Sequence, residues 1–381
     1  MKQFSVNGSI YAADTAGVCS ALYELGGMTI VHDASGCNST YSTHDEPRWY
    51  DRESMIYISA LTERDAVTGD DEKLIGDVCE AAARLKPNFV CLCASPMPAM
   101  IGTDMNYIAA GIESRTGIPA FAVRTNGIGT YQKGASDAFR AVSRRFCARE
   151  TEKTPKTVNL LGLTPLDLPA GADETLKALL RAHGYTVQAS LGMGGAFDDL
   201  PKLAGASVSL VTSGCGLAAA RDLYERFGVP YVTAFPVYGK YAELVCSLLA
   251  TAALTGKCVD ACTMRPGRGV NAVAGEGVTG GSLAAALAME TGEGWDLIAP
   301  VEGDPSPTLP FDLRPLTDDE TRLAMGRYER VVADPLYAPI CPPRTKLIEL
   351  PHVAYSGRCF LRRAPDALTR AGFETILESV K

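Results

Sequence analysis

An α/β protein made of three tandem, doubly wound parallel-sheet units is the fold class predicted by three observations. Short apolar segments alternate with amphipathic segments of about ten to fifteen residues along most of the chain, the rhythm of βαβ units. Several of the short segments, NFVCLC at 88–93 above all, are apolar at successive positions, as strands buried on both faces must be. The chain has 381 residues, too many for one ordinary core, so two or three domains are expected.

The first unit, residues 1–150, carries strands MTIVH, SMIYISAL, NFVCLC and IPAFAVRT, with helices expected over 70–86 and 134–149. A charged, proline-bearing connector at 149–156 (RETEKTPK) closes it. The second unit, residues 151–262, starts with TVNLLGL at 157–163. A helix over 173–183, strands YTVQASLG and SVSLVTSG, a helix over 216–227 and strand YVTAFP complete its order. A helix over 240–254 leads out of it. The third unit, residues 263–381, opens with VNAVAGEG and a helix, then strand WDLIAPV. A proline-rich loop over 304–310, the segment RTKLIELPHVAYSGRCF and a final helix follow. Each unit is Rossmann-like. Ligands of such sheets lie beyond the carboxyl ends of the strands, so residues just after strands carry the search for a site.

Charge and composition narrow the partners. A formal net charge of −8, with no basic stripe, makes nucleic acid and anionic membrane poor partners. The first residues, MKQFSVNGSIY, lack an apolar run of signal-peptide length, and the apolar run from Leu244 to Thr255 is too short to span a bilayer. A cytoplasmic protein is expected. Twelve cysteines then need a use other than disulfides: packing, metal ligation or redox chemistry. Cys79, Cys147, Cys246 and Cys258 read as packing thiols.

The most informative stretch is HDASGC at 32–37, which follows the apolar strand MTIV. A thiol presented after a strand and a glycine suits a metal cluster better than a disulfide, although a buried structural thiol would look the same. Gly36 allows close backbone approach and an N–H aimed at a cluster sulfur. The run LTERDAVTGDDEKL at 61–74 and the segment CASPMPAMIGTD at 93–104 follow in order. Together these segments resemble the nitrogenase component 1 superfamily, in which a histidine-to-cysteine motif after the first strand carries a bridging-cluster ligand. The acids at 63–72 and Asp104 are read as helix caps and first-turn charges.

The resemblance implies three tandem Rossmann-like domains and an iron–sulfur cluster of the 4Fe–4S kind bound through Cys37. It further implies up to two more cysteines. Ala13 and Pro96 occupy the other two ligand places, so Cys19 and Cys93 are the nearest candidates. A cluster shared across a homodimer, or one ligated chiefly by a sister subunit, remains open. The partners implied are an iron-protein-like ATPase reductase and a second component 1 subunit, the same chain or a sister. The implied activity is a low-potential reduction of a small molecule or tetrapyrrole, with a second metallocofactor as an option. A cofactor-assembly scaffold of the same fold is the alternative.

Three further positions stand after strands. Cys215, between Gly214 and Gly216 at a helix start, is expected to be open with a lowered pKa, or else to be incidental to a capped turn. His352 in HVAYSG follows the strand TKLIEL. The resemblance makes Cys215 and His352 catalytic candidates facing a cleft between domains, while a histidine behind a strand is otherwise an ordinary loop or core residue. Gly275, Gly277 and Gly280 form a G-x-G-x-x-G turn between a strand and a helix. That pattern suits a dinucleotide pyrophosphate, or merely a tight turn.

Overall fold

The structure is a computed structural model that describes residues 12–34, 46–148 and 152–381. Cys37, Gly36 and His44 lie outside the described residues.

Three parallel four-stranded sheets follow one another along the chain. The first comprises β1 (Met28–His32), β2 (Met55–Ile58), β3 (Val90–Ala94) and β4 (Ala120–Val123). The second comprises β5 (Thr154–Leu163), β6 (Thr186–Gly192), β7 (Ala206–Val211) and β8 (Tyr231–Thr233). The third comprises β9 (Asn271–Ala274), β10 (Trp295–Ile298), β11 (Arg330–Ala333) and β12 (Lys346–Glu349). All three repeat one strand order, β2-β1-β3-β4, β6-β5-β7-β8 and β10-β9-β11-β12. Each therefore has its topological switch point between its first and third strands, where a crevice opens at the carboxyl edge.

Local chemistry explains the elements. Strands β1 and β3 are buried at every position, which requires the continuous apolar runs MTIV and VCLCA. The helix Asp71–Leu85 is started by Asp70, whose side chain accepts from Lys73 N, and it buries Leu74, Ile75, Val78 and Ala82 on one face. Thr62 and Asp65 form a capping box for the helix Glu63–Thr68, and Asp104 caps Met105–Thr116. The acids of 62–72 are thus spent on helix starts.

The third unit departs from the sequence reading. Strand β11, RVVA, sits in the middle of its sheet between β9 and β12, where no strand was expected. It is short and follows Tyr328–Glu329, so neither its length nor its flanks announce a central strand. Its pairing on both sides supplies what the sequence does not show.

The units share their interior. The largest cluster of buried apolar side chains draws on all three sheets, from Val18 and Cys91 through Leu161 to Ala274 and Val331. One crossing holds the first unit in place: the helices Asp14–Leu22 and Tyr131–Phe146 meet at two glycines. A Cβ on Gly17 would stand 2.1 Å from the Tyr131 carbonyl oxygen, and one on Gly134 would stand 1.9 Å from that of Asp14. Only glycine lets these backbones touch. The contact delivers Tyr131, fully buried, to the place where the other two units meet.

Candidate functional site

Five chemically active side chains from all three units converge at the carboxyl edges of the second and third sheets. Asp167, in the loop after β5, is their hub. Its Oδ1 accepts a 2.5 Å hydrogen bond from the Tyr131 hydroxyl, and its Oδ2 accepts from the Cys215 thiol at 3.3 Å and from Thr164 Oγ1 at 3.5 Å. His352 Nε2 stands 3.5 Å from Asp167 Oδ1, without hydrogen-bonding geometry. Glu276, at the turn after β9, completes the group and is 2 % exposed.

Burial sets the protonation of this group. Loss of solvent, with the charge of Asp167 second, pushes Glu276 up to about 7, against the pull of three backbone amides. A carboxyl tuned to that range can hold or release a proton at neutral pH. Burial raises Tyr131 well above its usual value, with Asp167 adding to the effect. Burial also lowers His352, whose imidazole is therefore neutral near pH 7, against the opposing pull of Asp167 and Asp334.

Cys215 is not the open, acidified thiol expected from its place at a helix start. It is fully buried, and burial followed by the charges of Asp167 and Glu276 raises it well above the usual thiol range. The helix dipole loses because Gly214–Gly216 forms a tight 3-10 turn that leaves the sulfur among carboxylates. Cys215 is here a neutral thiol that donates a hydrogen bond.

The glycine turn is also corrected. Glu276 itself occupies the start of the helix Gly277–Thr291: its carboxylate accepts from Val278 N at 3.0 Å, Thr279 N at 2.9 Å and Gly214 N at 3.0 Å. Those are the amides a pyrophosphate would need, and the carboxylate would repel it. Gly275 and Gly280 serve close packing instead, with the Cβ position of Gly275 3.6 Å from Gly280 Cα. Gly277 has Pro307 against it.

A chamber of about 360 Å³ opens beside this group, between the second and third units. Asp167, His352, Thr279 and the Gly275–Gly280 turn reach it, and Phe235, Leu283 and Leu350 contribute to its largely apolar wall. His352 stacks on Tyr355 with ring centroids 4.2 Å apart. Both of its ring nitrogens are buried, and neither has a hydrogen-bond partner among the described residues. Asp334, which ends β11, fixes the segment: it accepts from His352 N at 2.7 Å, Ser356 Oγ at 2.8 Å and Leu336 N at 2.9 Å. Sequence reasoning missed Asp167, Tyr131, Glu276 and Asp334. Asp167 and Tyr131 carry no motif, Glu276 sat inside the glycine pattern as its variable residue, and Asp334 stood behind the unexpected strand, with Asp334–Pro335 as the one turn signal that marked its end.

In the first unit, the structure brings Cys19 and Cys93 together. They are neighbours, 1 % and 0 % exposed, and the Cys93 thiol donates to the Ile30 carbonyl at 3.6 Å. The neighbouring Cys19 thiol, then burial, raises Cys93 well above the thiol range. Two soft donors side by side match iron chemistry, but this pair is enclosed in the apolar core with Val18, Cys91 and Val123. Among the described residues no group of three histidine, cysteine or carboxylate side chains is placed to hold a metal. As placed, Cys19 and Cys93 fit packing thiols and do not by themselves fit a cluster. His32, at the end of β1, is hydrogen-bonded through Nδ1 to Ser59 Oγ at 2.7 Å.

Three like-wound parallel sheets around a buried acid group and an apolar chamber define a multidomain α/β protein of Rossmann-like units. Residues 15–257 match the family model described as nitrogenase component 1 type oxidoreductase, and the chain belongs to that family. The match ends before β9, so Glu276, Asp334 and His352 lie beyond it. Among curated relatives, the nitrogenase iron-molybdenum cofactor biosynthesis protein NifE of Clostridium pasteurianum is 25 % identical over 238 residues, 60 % of this chain and 51 % of that protein. A subunit of the light-independent protochlorophyllide reductase of Chlorobium limicola is 28 % identical over 189 residues, 48 % of this chain and 34 % of that one. The chain thus spans about a third to a half of the length of these relatives. The solved structure "Nitrogenase Cp1 at pH 6.5" superposes with a TM-score of 0.71 at 14 % identity, covering 100 % of this chain and 93 % of that one. The fold is shared with it. No helix among the described residues is long and apolar enough to cross a membrane.

Proposed function

We propose that the chain is a subunit of a nitrogenase-like two-component reductase that holds a small molecule in the chamber between its second and third units. One observation carries the reading: His352 and Asp167 border the chamber, and Tyr131, Cys215 and Glu276 stand behind them in a buried group in which the Glu276 carboxyl is raised to about 7. Reduction of a bound molecule consumes protons as well as electrons, and a carboxyl near pKa 7 in a dry interior is suited to supplying them. The electrons would come from an ATP-dependent iron protein through an iron–sulfur centre. Cys37 is its first ligand candidate, in a homodimer or with a sister subunit. The likeness to a protochlorophyllide reductase subunit supports a reductase.

The likeness to NifE supports a second reading, a cytoplasmic scaffold that carries a metallocofactor and releases it. Oxygen-free purification with iron and sulfide analysis and electron paramagnetic resonance separates the two, repeated on Cys37→Ser. A reductase holds iron that Cys37→Ser loses, and it turns over when an iron protein and ATP are added. A scaffold holds its metal without turnover and passes it to an acceptor. Preparations free of iron in both forms refute both.

A further inference from the structure

The wall of the chamber is more specific than its volume. Besides Asp167 and Asp366, its lining residues carry no charge: the remainder are apolar side chains, prolines and glycines, with Thr279 and the neutral His352. Among the described residues no lysine or arginine lines it. The lone pairs of Asp167 already accept from neutral donors, Tyr131, Cys215 and Thr164. Asp366 is tied into its own turn, its Oδ1 accepting from Leu368 N and its carbonyl from Thr369 N.

We infer that the chamber selects a neutral, mainly apolar small molecule. An anion entering this space would lose its hydration, meet two carboxylates and find no cation among the described lining residues, while a cation would lose its hydration and find Asp167 already engaged by three donors. A tetrapyrrole carrying several carboxylates is excluded on the same ground. An apolar body gains by leaving water for the wall formed by Leu168, Phe235, Leu283 and Leu350. This inference takes the chamber to be the ligand site, as proposed above, and it names the class of molecule that reading left open.

Three probes of one shape decide it: benzyl alcohol, benzoate and benzylammonium, titrated into the full chain by calorimetry and by ligand-observed NMR. Benzyl alcohol is expected to bind, with benzoate and benzylammonium each about tenfold weaker or worse. Ala364→Phe, which fills the chamber from a loop, should abolish binding of benzyl alcohol while the melting temperature holds. Leu350→Arg should reverse the preference and admit benzoate. Tighter binding of benzoate or benzylammonium by the unaltered chain overturns the inference, as does absence of binding by all three. Binding that survives Ala364→Phe in a folded variant overturns it too. The titrations need no reductant, iron protein or turnover. A metal-free preparation that still binds benzyl alcohol therefore fails the redox reading alone, and an iron-bearing one that binds no probe fails this inference alone.

Discussion

The first unit and the junction of the other two contrast in how sequence relates to chemistry. The first unit holds the motif-dense stretches, yet its described residues are quiet: acids capping helices, a thiol pair in the core, His32 bonded to a serine. The junction is nearly motif-free, yet it gathers Tyr131, Asp167, Cys215, Glu276 and His352 within a few bonds of one another. Motifs are local by nature, whereas this site draws its members from positions as far apart as 131 and 352. The contrast teaches that in a chain of repeated sheets the chemistry settles where carboxyl edges face each other.

The glycine crossing that joins the two regions is the first place to break the comparison. Gly134→Ala puts a Cβ into the Asp14 backbone, and helix separation should cost about 3 kcal/mol or more. Urea denaturation measures the loss. Because Tyr131 opens the same helix, the variant should also weaken the Tyr131–Asp167 bond, seen as a shift in tyrosine ultraviolet absorption. A cost below about 1 kcal/mol would show that the helices part freely and that the junction does not depend on the first unit.

Asp334→Ala tests whether the junction is held from β11. It strips acceptors from His352 N, Ser356 Oγ and Leu336 N in a residue 1 % exposed, so about 2–3 kcal/mol of stability should go. His352 loses its anchor at the same time. A cost near zero would mean that the segment is positioned by stacking on Tyr355 alone.

How much was legible follows from the same contrast. The parallel-sheet plan could be read because buried strands such as VCLCA declare themselves by composition, and because caps such as Thr62, Asp70 and Asp104 act within a few residues. Cys215 and His352 were legible as positions after strands, but not their state. The carboxylates that keep Cys215 protonated come from a loop forty-eight residues before it and a turn sixty-one after it. Glu276 was hidden inside a glycine pattern whose usual partner is a phosphate. Its carboxylate fills that role itself, which only the folded turn reveals.

The titration of that carboxylate gives a further test. A group raised from 4.5 to about 7 in the folded chain leaves its stability contribution intact below pH 4.5 and loses it as pH climbs toward 7. His352, lowered from 6.5, acts oppositely and withdraws stability as pH falls through its folded value. Stability measured from about pH 5 to 8 should therefore fall with rising pH more steeply in His352→Phe than in the unaltered chain. Asp167→Asn removes the second cause of the Glu276 shift, so the Glu276 carboxyl signal should titrate at lower pH by NMR. An unchanged midpoint would show that burial acts alone.

The smallest expected effect concerns the thiol pair. Cys19→Ala and Cys93→Ala each remove one buried sulfur from a packed core, a change comparable to losing a methyl group, so each should cost about 1 kcal/mol. Their costs should not add, because either substitution already ends the contact between the two sulfurs, and the double variant should be less damaged than the sum. Cys215→Ala should cost more, since it removes a donor from Asp167 as well as volume. Iron content sharpens the same set. If the pair only packs, both alanine variants keep the iron that Cys37→Ser loses. If iron falls in Cys19→Ala or Cys93→Ala as it does in Cys37→Ser, the core pair is part of a metal site, and the quiet first unit becomes as chemically committed as the junction.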